Sequence, residues 1–70
     1  MEIFVFRTNI SCKDDLRMIS PLLDQFKIMS WNVDFEDIDK VLRVVTDTVQ
    51  PKEIIQLMNR KGFRCEELPD

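Results

Sequence analysis

The amino-acid sequence predicts an α+β fold in which a four-stranded antiparallel sheet carries two helices on one face. Three observations support this fold class. A β-rich run opens the chain, an alternating apolar segment lies in its middle, and a helix with clear end signals precedes a last apolar run. A chain of 70 residues has room for one hydrophobic core, so we expect a single domain over residues 1–70.

The first half of the chain predicts a strand, a loop and a helix. Residues 2–8, EIFVFRT, are rich in β-branched and aromatic types, and the run is short enough to favour a strand. In the loop NISCKDD that follows, Ser11 or Asp14 is expected to cap a helix over residues 14–26. Pro21 predicts a kink or a tighter first turn, because proline removes a hydrogen bond. The apolar stripe of this helix is Leu16, Ile19, Leu23 and Phe26.

The middle of the chain predicts a β-hairpin. Apolar and polar residues alternate over residues 27–35, which is the pattern of a half-buried strand and favours a core position for Trp31. The acidic segment 36–40 is expected to be a solvated turn, because it lacks the glycine and the ligand spacing of a calcium loop. A second strand over residues 41–47 completes the hairpin. The apolar residues of the first strand are Met29, Trp31, Val33 and Phe35.

The last third predicts a helix with punctuated ends and a final strand over residues 63–68. Pro51 fits the first helical position, where its missing N–H costs nothing, and Gly62 fits a left-handed residue after the helix. Met58 on this helix and Met18 on the first are expected to fill the core. The order strand, helix, strand, strand, helix, strand, with right-handed crossovers, gives the ferredoxin-like βαββαβ arrangement.

The composition narrows the function classes. A net charge of −3 provides no cluster of cations for phosphate backbones, so nucleic acid is not an expected partner. The chain has no His and no Tyr, which leaves few groups for acid–base catalysis at neutral pH, so we expect no enzyme. Cys12 and Cys65 match neither a disulfide framework nor a zinc-finger spacing, and both are expected to be thiols.

The apolar runs of the sequence are short. None approaches the roughly 20 residues that a membrane-spanning helix needs, and the opening MEIFVFR has no features of a signal peptide. We therefore expect no membrane partner and a cytoplasmic location.

Several segments, taken in this order, resemble the heavy-metal-associated domain found in copper chaperones and metal-pumping ATPases. That family has a GMxCxxC loop after its first strand, a hairpin of the type VxL then VxV, and a second helix that opens near a Pro and ends in Gly-Tyr or Gly-Phe. The corresponding segments here are NISCKDD, WNVDFEDIDKVLRV and QPKEIIQLMNRKGF. The resemblance covers nearly the whole chain and implies the ferredoxin-like fold.

The loop departs from the family pattern in the residues that would hold a metal. Cys12 matches the first family cysteine, but Asp15 stands in place of the second, while Asn9 and Ile10 replace the Gly and Met. Copper(I) prefers thiolates, so one thiolate and one carboxylate do not make a tight site, and we expect no cofactor beyond weak copper or zinc. Cys12 is a vestigial ligand, a partner for Cys12 of a second chain, or an ordinary residue at a helix start. Asp15 is a vestigial ligand or a helix-dipole partner.

The face of the sheet away from the helices is the predicted contact surface. If Phe4 and Phe6 face the helices, apolar side chains crowd the two middle strands on the other side and form a patch typical of interfaces. The sequence thus favours a non-catalytic, cytoplasmic binding module that forms a homodimer or docks on a protein through this face. The alternative is a copper or zinc carrier that binds through Cys12 at a dimer interface. The expected interface residues are Ile3, Val5, Val41 and Val45.

Overall fold

A computed structural model describes residues 1–69 of the chain. None of the helices in this part is long and apolar enough to cross a membrane. The elements follow the predicted order: β1 (Glu2–Thr8), α1 (Lys13–Leu23), β2 (Ile28–Asp34), β3 (Val41–Thr46), α2 (Pro51–Arg60) and β4 (Cys65–Glu67).

The four strands form one antiparallel sheet with the order β2-β3-β1-β4. This order and the two helices confirm the predicted ferredoxin-like α+β fold. Residues paired across neighbouring strands point to the same side, and successive residues alternate between sides. On one side, here called the helix face, Phe6 pairs with Leu42 and Phe4 with Val44. The other side is called the open face.

The core lies between the helix face and the two helices. Phe6 and Leu42 from the sheet, Ile19 from α1 and Ile54 from α2 are each completely buried. Trp31 packs against this core, as its place in the alternation predicts. The buried core cluster is Phe6, Ile10, Ile19, Leu23, Leu42, Val44, Val49, Ile54, Met58, Phe63 and Cys65.

Helix α1 differs from the prediction at both ends. It ends at Leu23 instead of residue 26. Pro21 lies inside its last turn, so the missing N–H removes one helical hydrogen bond close to the point where the helix ends. Its N-cap is Cys12, without a side-chain bond, so the predicted cap at Ser11 or Asp14 is wrong.

A β-bulge changes the alternation at the start of β2. The pairing shifts between Ile28 and Ser30, which moves Ile28 to the helix face and leaves Met29 62% exposed. The regular alternation predicted Met29 at the core, and the extra residue of the bulge is the reason it is not there. Met18 is also exposed on α1, contrary to its predicted core role, whereas Met58 is completely buried.

The end of α2 follows the prediction closely. The backbone N–H of Gly62 donates to the Asn59 carbonyl and that of Phe63 to the Met58 carbonyl, each at 3.0 Å. This is the Schellman pattern, which requires a left-handed residue, and Gly62 has φ +88°. The turn returns the chain to the sheet at β4, which covers residues 65–67 of the predicted 63–68.

Candidate functional site

The loop between β1 and α1 is fixed to the rest of the fold on both sides. The Ile10 side chain is completely buried, and its N–H donates to Thr8 Oγ1 at 3.3 Å. Asn9 Oδ1 accepts a bond of 2.8 Å from the N–H of Arg64, just before β4. The two positions that depart from the family's Gly and Met therefore both hold the loop in place.

Cys12 and Asp15, the predicted metal residues, lie at the start of α1 and have different surroundings. The Cys12 side chain is exposed and makes no hydrogen bond that caps the helix. Asp15 Oδ2 accepts bonds from the backbone N–H and the hydroxyl of Ser11, at 2.9 and 3.0 Å. These bonds, the backbone one first, lower the pKa of Asp15. The carboxylate thus closes the loop onto the helix, and it would have to release Ser11 to bind a metal through Oδ2.

Cys65 is buried in β4 opposite Thr8. Burial, and secondly the charge of Glu66, raise its pKa to about 12. Both cysteines are free thiols, and residues 1–69 hold no cluster of three His, Cys, Asp or Glu side chains suited to a metal ion. A cysteine thiol in the unfolded chain has a pKa near 9, whereas the pKa of Cys65 in the folded protein is about 12. The free energy of unfolding should therefore fall as the pH rises from 9 toward 12, because only the unfolded chain releases the proton in that range.

We expect the two thiols to react at very different rates with a thiol reagent. In the native protein at neutral pH, Cys12 should be labelled rapidly, because it is exposed. Cys65 should be labelled only after denaturant is added, since it is 5% exposed and protonated. Mass spectrometry of the labelled protein measures both sites. Equal labelling of the two in native protein would contradict the placement of β4.

The open face carries the four predicted interface residues on its two middle strands. Ile3 pairs with Val45 and is 52% exposed, while Val5 pairs with Arg43. Val5 and Val45 are half-buried. Val41 is only 7% exposed, so the apolar patch is narrower than expected. Beside these strands, β2 presents Ser30, Asn32 and Asp34.

A shallow groove of about 300 Å³ crosses the open face. The exposed Arg43 is central to it and makes no ion pair or side-chain hydrogen bond with any residue of the described part, 1–69. The groove therefore combines apolar walls, two polar side chains and a guanidinium that has no partner within residues 1–69. Its lining is Ile3, Ser30, Trp31, Asn32, Arg43 and Val45.

The hairpin tip, residues 35–40, joins β2 to β3. Like the groove, it was not predicted as a functional site. Ile38 in this tip is 93% exposed, more than any other large apolar side chain in residues 1–69. An isoleucine within an acidic turn was the signal available in the sequence.

A second hollow, of about 280 Å³, lies between the end of α1 and α2. Its walls include Phe26 and Leu57, and its charged members are Glu53 and Arg60. Glu53 already accepts a bond of 2.8 Å from the N–H of Gln50. This carboxylate caps the helix, so the one anionic group of the hollow is already in use.

Comparisons with family models, curated proteins and solved structures found no significant match to the chain. The kinship with the heavy-metal-associated domain stays a prediction from the sequence motifs. The geometry of the loop and of the open face therefore carries the functional argument.

Proposed function

We propose that this chain is a small cytoplasmic protein-interaction module of the heavy-metal-associated type, without catalysis and without a complete metal site. It docks on protein surfaces through the open face. The observation that carries this proposal is the uncovered groove around Arg43, which has apolar walls at Ile3 and Val45. Apolar surface next to an arginine is the composition that protein interfaces favour.

The loop supports the same proposal. Cys12 is one exposed thiol. Asp15 stands where the resembled family has its second cysteine, and its carboxylate holds Ser11. A soft metal ion would find one thiolate per chain, which is too few for a tight site in a monomer. The open face, in contrast, needs no additional group to act as a binding surface.

Replacing Ile3 with glutamate should weaken partner binding, and the same change at Met18 should not. The two side chains are 52% and 53% exposed, but Ile3 lies on the open face and Met18 on the outside of α1. A carboxylate in a docked apolar groove loses its hydration, so we expect at least about tenfold weaker binding for Ile3→Glu.

The wild-type, Ile3→Glu and Met18→Glu proteins are each immobilised and exposed to an extract of the source cells and to the untagged chain. The measurement is which proteins each of the three retains. Met18→Glu should retain the same proteins as the wild type. If Ile3→Glu also does so, the open face is not the docking surface.

A metal carrier that uses Cys12 from two chains is the second candidate, favoured by the exposure of that thiol. It predicts one zinc or copper(I) ion per two chains, with a dissociation constant below about 1 μM, and complete loss of binding in Cys12→Ser. The interaction module predicts no such binding. Titration with each metal under reducing conditions measures the stoichiometry and the dissociation constant. Cys65→Ala is the control, because it removes the buried thiol and leaves Cys12 in place.

A further inference from the structure

We propose that the groove on the open face takes the hairpin tip of a second copy of this chain. This inference rests on the proposed function of the open face and adds the identity of the partner. In the complex, Ile38 of each copy lies against the apolar walls of the other copy's groove, and Glu36 of each copy pairs with Arg43 of the other.

The tip is already in a fixed conformation before it binds. Asp34 Oδ1 accepts a bond of 3.0 Å from the N–H of Glu36, and Asp37 Oδ1 accepts one of 2.8 Å from the N–H of Asp39. Lys40 has a left-handed φ of +47°, and its Nζ donates to the Phe35 carbonyl at 2.7 Å. A segment held in this way loses little conformational entropy on docking.

The tip is also attached to the body of the domain, through Thr8 on the helix face and through Arg7 on the open face. Thr8 donates twice, from its hydroxyl to the Lys40 carbonyl at 2.6 Å and from its N–H to the Asp39 carbonyl at 3.0 Å. Arg7, which pairs with Glu66 on the open face, has its Nε 3.2 Å from Asp39 Oδ1. These contacts use Asp39 and Lys40 for the fold and leave Ile38 and Glu36 exposed.

The exposed groups of the tip match those of the groove. Ile38 is an apolar side chain at 93% exposure, a large surface to leave in water. The Glu36 side chain has no ion pair within residues 1–69, and neither does Arg43. In the proposed complex, Ile38 of the tip meets the apolar walls of the groove and Glu36 meets Arg43. The tip and the groove are thus complementary in charge.

The positions of tip and groove suit a symmetric pair. The groove uses Ile3 near the start of β1 and Val45 near the end of β3, whereas the tip follows the end of β2, at the opposite end of the strands. A two-fold axis across the strands, in the plane between two facing sheets, places each tip over the partner's groove. Each copy then gives one tip and one groove, and the assembly closes as a dimer.

Charge reversal at the proposed pair tests this arrangement. Sedimentation velocity of the full chain, from micromolar to near-millimolar concentration, should show a dimer for the wild type. Glu36→Arg and Arg43→Glu should each weaken it at least about tenfold, because each places like charges together. An equimolar mixture of the two variants should regain dimerisation, since the heterodimer has two opposite pairs.

Ile38→Asn provides a second variant, and as an exposed turn substitution it should keep the fold. It should also reduce dimerisation. If the wild type dimerises and only Ile3→Glu prevents it, while Ile38→Asn and Glu36→Arg have no effect, the tip is not the occupant although the open face remains the interface. A wild type that stays monomeric at every concentration also overturns the inference, and the retention experiment then tests the proposed function alone.

Discussion

Replacing Phe6 with alanine is expected to lower the free energy of unfolding by about 3–5 kcal/mol. Phe6 is completely buried, lies opposite Leu42 in the sheet and belongs to the core that both helices cover. A domain of this size has about 4–10 kcal/mol of stability in total. The variant should therefore unfold at a much lower urea concentration than the wild type.

Urea denaturation followed by circular dichroism measures this loss, and Ile3→Ala is its matched control. Ile3 lies on the same strand but on the open face, at 52% exposure, so its truncation should cost less than about 1 kcal/mol. Both residues are apolar members of β1, and the sequence alone does not determine which face is covered. Equal costs for the two variants would mean that the face assignment of β1 is wrong.

Replacing Thr8 with valine should lower the free energy of unfolding by about 1–3 kcal/mol, the cost of leaving buried polar groups without partners. Valine keeps the shape of threonine but loses the hydroxyl, which donates to the Lys40 carbonyl and accepts from the N–H of Ile10. Thr8 is 7% exposed, so water does not easily replace it. The hairpin tip and the loop before α1 would each lose one of the bonds that hold them.

Hydrogen exchange together with urea denaturation distinguishes this local effect from a general loss of stability. In Thr8→Val, the amide of Ile10 loses its acceptor, and the amide of Lys40 donates to the Asp37 carbonyl within the tip that Thr8 holds. Both amides should exchange faster than the loss of global stability accounts for. Thr8→Ser keeps the hydroxyl and should retain most of their protection. Unchanged exchange at both amides in Thr8→Val would show that the threonine does not hold the two segments.

The fold could be predicted because its signals are local. The alternation around Trp31, the proline at the start of α2 and Gly62 at its end each depend on a few neighbouring residues. The errors came from features outside these rules. The bulge that moved Met29 to the surface has no mark in the sequence. At the start of α1, the Asp15 carboxylate accepts the side-chain bond from Ser11, and neither Ser11 nor Asp14 acts as the cap.

The candidate site was only partly predictable. Alternation placed Ile3 and Val45 on one face, which the pairing confirms. The groove, however, joins residues of β1, β2 and β3, and the sequence does not show that Arg43 makes no ion pair within residues 1–69. The tip is held by Thr8, which is 32 positions from Lys40. Such contacts depend on the register of distant strands.

Sedimentation of the chain in a metal-chelating, reducing buffer tests most directly whether the open face or the Cys12 loop mediates association. The account predicts that Cys12→Ser dimerises like the wild type and that Ile3→Glu is a monomer at the same concentrations. Dimerisation that is lost in Cys12→Ser and kept in Ile3→Glu would contradict it.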